Sequence, residues 1–379
     1  MDTIKIVYVV TNLKGTGPIN QTLNIIRYMD RTVFEPSVIT LFPEDDTNTI
    51  IEEYRRENIP IYQLNLSKME SLIKGRMTSR TVLEKIRPNI IQGVGFPPLR
   101  PTLSYKEAKH MITLRNYCYE DYPDKYGRFL GPILAFRDVR LIKKMLSKEE
   151  PIITCSKSLS DMYGEKIHLD FLYIRNGVEL SKYTKRDIHK VREIRNRLNL
   201  PQDKRIFLYS GNMIDRKNQK EAIDGFLKSQ SGEKAVLMLL GDGVNLDDLK
   251  RDYGKYKNVI FYGMVKNVSE FLKASDVYVS SSKSEGLPNG VLEAMATGIP
   301  LILSDIVQHK EIFSVSGDIG YLYSLGDVDD LANKIDLMSD SDIYEMGEAC
   351  YNVVIHNFSA KVMSEKYQDY YKKVLGLQS

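Results

Sequence analysis

Short apolar runs alternate with helix-like segments along the whole chain, and this alternation is the feature that most constrains the fold. The first series comprises Ile4–Val10, Val38–Phe42, Ile90–Val94, Met111–Leu114 and Ile152–Cys155. The second comprises Arg205–Ser210, Ala235–Leu240, Asn258–Tyr262, Val277–Ser280 and Pro300–Leu303. Continuous apolar runs of this length are typical of strands buried on both faces. Helical patterns between them predict parallel sheets built from βαβ units.

A charge-dense stretch, about 181–204, separates the two series and ends in Leu200-Pro201. We interpret it as the crossing between two domains plus a solvated helix. The predicted fold class is α/β, with two Rossmann-like, doubly wound parallel-sheet domains. Ligands of such sheets bind at the carboxyl ends of the strands, so we expect both domains to face a central cleft.

Composition excludes several classes of protein. Lys plus Arg number 53 and Asp plus Glu number 50, a net charge of +3, which argues against a dedicated nucleic-acid binder. The three cysteines, Cys118, Cys155 and Cys350, are too few and too scattered for a disulfide framework or a zinc site, and they fit a reducing cytoplasm. No apolar run approaches about 18 residues, so we expect no transmembrane helix.

The strongest motif lies between two apolar runs, at 284–300, and reads SEGLPNGVLEAMATGIP. Its Gly/Pro/Asn turn opens a helix, whose free backbone N–H groups suit a phosphate. Glu285 and Glu293 stand eight positions apart and can point into one cleft, where carboxylates accept hydrogen bonds from sugar hydroxyls. The alternative is that Glu285 is an ordinary loop carboxylate and Glu293 a partner of the helix dipole.

This segment resembles the E-x7-E signature of the family 4 retaining glycosyltransferases, which have the GT-B fold. The resemblance implies that Glu285 contacts the donor sugar and that Glu293 contacts the ribose hydroxyls of the nucleotide. It also implies that main-chain groups between the two face the sugar and the diphosphate. The residues concerned are Gly286, Leu287, Pro288, Asn289, Gly290 and Val291.

Two further segments resemble the same family in the expected order. The loop at 210–219 resembles one that carries an arginine and a lysine to neutralise the leaving diphosphate. Lys217 matches the lysine, Asn212 stands at the arginine position, and Arg216 is the candidate for the second positive charge. The run ending near 262 resembles the strand before the base pocket. Main-chain groups of three residues are expected at the nucleobase: Gly263, Met264 and Val265.

The N-terminal half offers candidates for the acceptor side. Gly17 lies in a glycine loop after the first strand, and the resemblance places that loop near the donor phosphates or the acceptor. Asn20 replaces the third glycine of a dinucleotide fingerprint, which argues against NAD. Arg115 occupies the position of a common family histidine, and we assign it a catalytic or acceptor-binding role. Asn116 and Tyr119, which follow it, are assigned to acceptor binding.

A basic amphipathic pattern at 134–146 has two interpretations. Its apolar positions are Leu134, Leu141, Ile142, Met145 and Leu146, and its basic positions are Arg137, Arg140 and Lys144. Such a helix can lie on an anionic membrane surface. The alternative is a structural helix that packs its apolar side on the core and exposes its basic side to solvent.

Together these features and the family resemblance predict a metal-independent glycosyltransferase with a nucleotide diphospho-sugar donor and no other cofactor. The resemblance implies retention of anomeric configuration and favours UDP as the nucleotide. The resemblance is to bacterial capsule and O-antigen enzymes, which implies a glycan or polyprenyl-diphosphate-linked acceptor at the inner face of the cytoplasmic membrane. The expected domains are 1–180 for the acceptor, with a helix at about 359–379 packing back on it, and 181–358 for the donor. Two alternatives stay open: a non-catalytic nucleotide-sugar-binding protein and a nicotinamide-dependent oxidoreductase.

Overall fold

The structure is a computed structural model that describes residues 3–168 and 170–377. Its contacts divide the chain into two compact units. The N-terminal unit runs to Gly177 and takes in the residues from Ala360 onward, and the C-terminal unit is Val178–Ser359. Each unit contains one wholly parallel sheet with helices between its strands.

The sheet of the N-terminal unit has seven strands in the order β3-β2-β1-β4-β5-β6-β7. The strands are β1 Ile4–Val10, β2 Phe34–Thr40, β3 Ile61–Gln63, β4 Ile90–Gly93, β5 Lys109–Leu114, β6 Ile152–Thr154 and β7 Leu172–Tyr173. The helices before β7 are α1 Gly17–Arg27, α2 Ile51–Arg56, α3 Lys68–Ile73, α4 Gly75–Ile86, α5 Phe96–Leu99, α6 Cys118–Tyr126, α7 Leu130–Leu146 and α8 Lys157–Ile167.

The sheet of the C-terminal unit has six strands in the order β10-β9-β8-β11-β12-β13. The strands are β8 Arg205–Ser210, β9 Ala235–Leu240, β10 Val259–Gly263, β11 Val277–Ser280, β12 Leu301–Ser304 and β13 Gly320–Tyr323. The helices are α9 Val191–Arg197, α10 Gln219–Lys228, α11 Leu246–Tyr253, α12 Val268–Ala274, α13 Asn289–Ala296, α14 Val307–Phe313, α15 Val328–Asp340 and α16 Ile343–Asn357.

The last helix, α17 (Ala360–Val374), belongs to the N-terminal unit and packs against α1. Tyr367 and Tyr371 of α17 are buried in the core beneath the sheet. The Tyr371 hydroxyl lies 2.8 Å from that of Tyr8 and donates to Gln92 Oε1 at 2.5 Å. The hydroxyl of Ser364 donates to the backbone oxygen of Ile25. Because these tyrosines pair their hydroxyls, a strongly apolar core accommodates them without unsatisfied groups.

The strand order reverses between β8 and β11 in the C-terminal unit, and between β1 and β4 in the N-terminal unit. Loops at the carboxyl ends of the strands on either side of such a reversal diverge, and this leaves a crevice for a ligand. The topology therefore directs attention to the segments that follow β8 and β11.

The predicted fold class is confirmed, because both units are doubly wound parallel-sheet α/β structures. The sequence analysis missed three short strands, β3, β7 and β13. All three are edge strands, and none is buried along its whole length, so they lack the two covered faces that produce the apolar runs of the central strands.

The interpretation of 181–204 as a solvated inter-domain segment is wrong in part. Two of its arginines, Arg186 and Arg195, are buried within the C-terminal unit. Arg195 donates to the backbone oxygen of Ala274 at 2.9 Å and to Asp276 Oδ2 at 2.8 Å. Arg186 donates to the backbone oxygen of Ser275 at 2.6 Å. Arg195 can be buried because a carboxylate and main-chain oxygens supply the partners that water would otherwise provide.

No described helix is long and apolar enough to cross a membrane. Within residues 3–168 and 170–377, no group of three or more His, Cys, Asp or Glu side chains is arranged to hold a metal ion.

Candidate active site

The loop after β8 carries two cations in a single turn of 3₁₀ helix, Asp215–Lys217. Its backbone is fixed from two sides. The Tyr209 hydroxyl donates to the backbone oxygen of Lys217 at 2.5 Å, and the backbone N–H of Lys283 donates to the oxygen of Arg216 at 2.8 Å. The second of these contacts joins the loop to the segment after β11. Arg216 and Lys217 are thereby held at the carboxyl end of the sheet.

Glu285 lies between these two cations. Lys217 Nζ donates to its Oε1 at 2.6 Å, and Arg216 Nη1 donates to its Oε2 at 3.1 Å and to the backbone oxygen of Ser284 at 2.5 Å. The Glu285 side chain is 7% exposed. Burial alone would raise the pKa of its carboxyl, but Lys217, Arg216 and a hydrogen bond with Ser282 overcome this effect and lower the pKa to about 2. The carboxylate is therefore ionised at neutral pH.

Helix α13 begins four residues after Glu285, with Pro288 as its N-cap, and has no acidic residue in its first turn. Gly286, Leu287 and Pro288 are buried, whereas Asn289 and Gly290 are partly exposed. A Cβ at Gly290 would lie 2.5 Å from the Tyr278 hydroxyl, which itself donates to the backbone oxygen of Ser210. Glycine at this position lets the first turn of α13 approach the ends of β8 and β11. Val291 is buried beside it.

Glu293, the second glutamate of the motif, has the opposite electrostatic environment. Its half-buried carboxyl has a pKa raised to about 7 by desolvation. A hydrogen bond with Tyr183 and the charges of Lys182 and Lys217 act in the other direction without overcoming it. One motif therefore supplies a firmly ionised carboxylate, Glu285, and a carboxyl group that titrates near neutrality.

The loops after β8, β9 and β10 are in direct contact with one another. Gly211 donates its N–H to the backbone oxygen of Leu240, and Gly241 donates to that of Gly263 at 2.8 Å. Gly241 has φ 132°, and a Cβ there would lie 1.9 Å from the oxygen of Gly211, so only glycine fits. These contacts join the candidate base-binding segment to the loop that leads to Arg216 and Lys217.

The remaining donor-side candidates lie at the surface of these loops. Met264 is 69% exposed, and Val265 is partly exposed beside it. Asn212 is exposed, and its backbone oxygen accepts a hydrogen bond from Gln219.

Residues 190–352 match the family described as "Glycosyl transferases group 1". The match includes Arg216, Lys217, Glu285 and Glu293. The chain carries a group 1 glycosyltransferase domain. The predicted resemblance is therefore confirmed for the part of the chain that contains the ion cluster.

Two curated relatives indicate the kinds of protein in which this domain occurs. The chain is 30% identical over 206 residues to the UDP-Gal:alpha-D-GlcNAc-diphosphoundecaprenol alpha-1,3-galactosyltransferase of Escherichia coli, covering 52% of this chain and 53% of the relative. It is 29% identical over 209 residues to the putative teichuronic acid biosynthesis glycosyltransferase TuaC of Bacillus subtilis, covering 55% and 49%. The chain thus spans about half the length of each of these relatives.

The likeness to solved structures covers both units. A crystal structure of the Anabaena protein HepE in complex with UDP-glucose aligns with a TM-score of 0.80, covering 98% of this chain and all of that one at 16% identity. At this identity the likeness establishes the fold. The group 1 domain thus belongs to a GT-B fold, as the sequence predicts.

The N-terminal-unit candidates lie outside the group 1 match. Arg115 follows β5, and its Nη1 donates to Asn176 Oδ1 at 2.7 Å. Its Nε and Nη2 are buried and have no hydrogen-bond partner among the described residues. Asn116 is exposed and donates to Asp121, and Tyr119 lies beneath Lys166, whose Nζ is 4.7 Å from its ring. Gly17 is the first residue of α1.

The structure therefore brings Arg216, Lys217 and Glu285 into direct contact, and it couples Lys217 electrostatically to Glu293. Gly17, Arg115, Asn116 and Tyr119 belong to the other unit. Sequence reasoning missed several side chains that shape the group 1 site, because each is recruited by tertiary contacts. They are Tyr183, Tyr278, Ser282 and His309.

Proposed function

We propose that the protein transfers a sugar from a nucleotide diphospho-sugar, UDP being the favoured nucleotide, to a saccharide or polyprenyl-diphosphate-linked acceptor. One observation carries the proposal: the ion cluster of Arg216 and Lys217 around the buried Glu285, at the carboxyl end of the sheet, within a group 1 glycosyltransferase domain. Two cations and one fixed carboxylate match the two chemistries of such a donor, an anionic diphosphate and a neutral ring of hydroxyl groups.

On this proposal Lys217 and Arg216 stabilise the negative charge that develops on the leaving diphosphate. The positive end of the α13 dipole, at Asn289, adds to this stabilisation. Glu285 orients the sugar through its hydroxyl groups, and Glu293 accepts hydrogen bonds from the ribose. Catalysis then rests on positioning and electrostatic stabilisation rather than on a protein nucleophile. We expect retention of anomeric configuration and no requirement for a divalent cation.

The acceptor proposal rests on Arg115. Two nitrogens of this guanidinium are buried without a hydrogen-bond partner among residues 3–168 and 170–377, which suits a bidentate phosphate contact, and Asn176 fixes its orientation. The relative in Escherichia coli acts on a diphosphoundecaprenol-linked sugar, as its name states, and that class of acceptor contains such a phosphate. Asn116, Tyr119 and Gly17 are the neighbouring candidates for acceptor contacts.

Peripheral membrane contact is supported by α7 and the residue before it. The apolar side chains Phe129, Leu130, Ile133 and Phe136 are 93%, 51%, 64% and 57% exposed. Four basic residues of α7 are exposed beside them: Arg137, Arg140, Lys143 and Lys144. Exposed aromatic and aliphatic groups next to clustered cations suit an anionic bilayer surface, where a lipid-linked acceptor resides. We therefore place the protein at the cytoplasmic face of the membrane.

Binding and transfer assays test the donor site. UDP, GDP, ADP, their common sugar conjugates and NAD are compared by calorimetry and thermal shift, followed by transfer assays with and without EDTA. Lys217→Ala is expected to lower transfer by about 100-fold or more, as for loss of one charge-stabilising donor. Lys220→Ala is the matched control, because Lys220 is a nearby lysine paired with Asp224 on the surface of α10. Equal activity in both variants would refute the site.

The same assays separate the alternatives. Binding of a nucleoside diphosphate that depends on Lys217, without turnover on any acceptor, would favour a non-catalytic nucleotide-sugar-binding protein. Stabilisation by NAD alone would favour an oxidoreductase.

A further inference from the structure

A buried histidine next to the ion cluster has no role in the function proposed so far. His309 lies on α14, five residues after the end of β12, and is fully buried. Its Nδ1 is 2.8 Å from the backbone oxygen of Ser304 and 3.1 Å from Ser304 Oγ. A carbonyl oxygen only accepts, so Nδ1 carries the hydrogen in this contact and donates it. The second ring nitrogen, Nε2, is therefore left with a lone pair.

The imidazole is neutral at physiological pH. Desolvation lowers the pKa of His309 to about 4, although Glu285 and the bond to Ser304 act to raise it. Nε2 is consequently a pure hydrogen-bond acceptor. It is buried and has no hydrogen-bond partner within the described part of the chain. Buried acceptors without a partner are rare in folded proteins, because the group loses its water without replacement.

A chain of contacts connects His309 to the candidate site. Ser304 Oγ donates to the backbone oxygen of Ser282 at 2.6 Å, and the Ser282 side chain is hydrogen-bonded to Glu285. Glu285 and Lys217 also act electrostatically on the imidazole ring. His309 therefore lies at the same corner as Glu285, where the carboxyl ends of the adjacent strands β11 and β12 meet.

We propose that His309 Nε2 accepts a hydrogen bond from a hydroxyl group of the transferred sugar. The inference rests on the proposed function and adds a residue that selects the sugar. A neutral acceptor next to the Glu285 carboxylate is complementary to a ring of O–H donors, and it favours sugars whose hydroxyl lies at that point. Because Nε2 does not touch solvent, side chains around it must shift as the sugar enters.

Two substitutions of His309 test the contributions of its two ring nitrogens separately. His309→Asn keeps a donor in the place of Nδ1, so that the bond to Ser304 survives, and removes the acceptor in the place of Nε2. His309→Gln keeps an acceptor near the Nε2 position and gives up the Nδ1 bond. His356→Asn is the matched control, because exposed His356 also places its Nδ1 against a backbone oxygen, that of Asn352 at 2.8 Å.

Dissociation constants are measured for UDP, UDP-glucose, UDP-galactose and UDP-N-acetylglucosamine. His309→Asn is expected to weaken binding of the preferred UDP-sugar by about three- to tenfold, the range for one neutral hydrogen bond, and to leave UDP binding unchanged. His309→Gln should retain part of the sugar contribution despite lower thermal stability, and His356→Asn should match the wild type. An unchanged ratio of UDP-sugar to UDP affinity in His309→Asn would overturn the proposal.

Failure of the proposed function gives a different result, because wild-type protein would then bind none of the nucleoside diphosphates UDP, GDP and ADP and none of their sugar conjugates. If the His309 variants do not fold, imidazole ¹⁵N spectra of the wild type decide the question. The Nε2 resonance of His309 should move on addition of the UDP-sugar and stay in place with UDP. An Nε2 resonance insensitive to the sugar would count against the contact.

Discussion

The raised pKa of Glu293 predicts that replacing this glutamate by glutamine stabilises the protein in a pH-dependent manner. Burial raises the pKa of its carboxyl from 4.5 to about 7. The unfolded chain therefore ionises this group at lower pH than the folded chain. The contribution of Glu293 to stability is complete below about pH 4.5 and is lost as the pH rises to about 7.

The size of the effect follows from the shift. A change of about 2.5 pKa units corresponds to at most about 3.5 kcal/mol at about 1.4 kcal/mol per unit. Because the side chain is partly exposed, solvent screening reduces the expected value to about 1–2 kcal/mol. Glutamine cannot ionise, so Glu293→Gln should gain this amount over wild type between about pH 5 and pH 8.

Urea unfolding followed by circular dichroism from pH 4.5 to 8.5 measures the difference. Because the chain has two units, each unit can unfold in its own transition. The comparison between variant and wild type therefore uses the transition whose midpoint the substitution shifts. Glu285→Gln is the internal control. Burial opposes ionisation of Glu285, but Lys217 and Arg216 lower the pKa of its carboxyl to about 2. The ionised carboxylate therefore stabilises the folded protein above about pH 4.5, and this stabilisation is lost only as the pH falls towards 2. This variant should be destabilised at neutral pH with no gain between pH 5 and 8. A Glu293→Gln difference that stays constant across the series would refute the reasoning.

Three further predictions concern packing, a buried ion pair and the membrane. Gly290→Ala should destabilise the protein by about 1–3 kcal/mol in thermal or urea unfolding, because its Cβ meets the Tyr278 hydroxyl, and Tyr278→Phe should recover part of the loss. Asp276→Ala should destabilise the protein by about 3–5 kcal/mol in the same assay, because the buried Arg195 keeps its charge but loses the carboxylate. An unchanged stability would show that the main-chain oxygens alone are enough to keep the Arg195 guanidinium buried. Phe129→Ser should reduce co-sedimentation with anionic vesicles, and equal binding of the variant would remove α7 from the membrane proposal.

The central strands could be predicted because they are buried on both faces. β8, β9 and β11 match their predicted ranges, since a parallel strand covered by helices consists almost wholly of apolar residues. β13 could not be found in this way, because it lies at the edge of the sheet and two of its four residues are partly exposed.

Charged residues were harder to interpret than apolar ones. The segment near Arg195 has the composition of a solvated helix, and its burial depends on Asp276, which is 81 positions away in the sequence. His309 shows the same limit. A single histidine after a strand gives no signal by itself. Only the fold places its Nδ1 on Ser304 and leaves Nε2 without a hydrogen-bond partner among the residues that the structure describes.

Arg216 is our proposed replacement for the arginine that the family pattern places at position 212. The family pattern places an arginine there, and this chain has Asn212, which is exposed. A guanidinium nevertheless reaches Glu285 from Arg216, whose direction no sequence pattern reveals, because a 3₁₀ turn positions consecutive residues differently from an α-helix. Arg216 and Lys217 both contact the same carboxylate, so their charges are held within a few ångströms of each other. Under the proposed function these two adjacent residues supply the paired positive charge that a diphosphate requires.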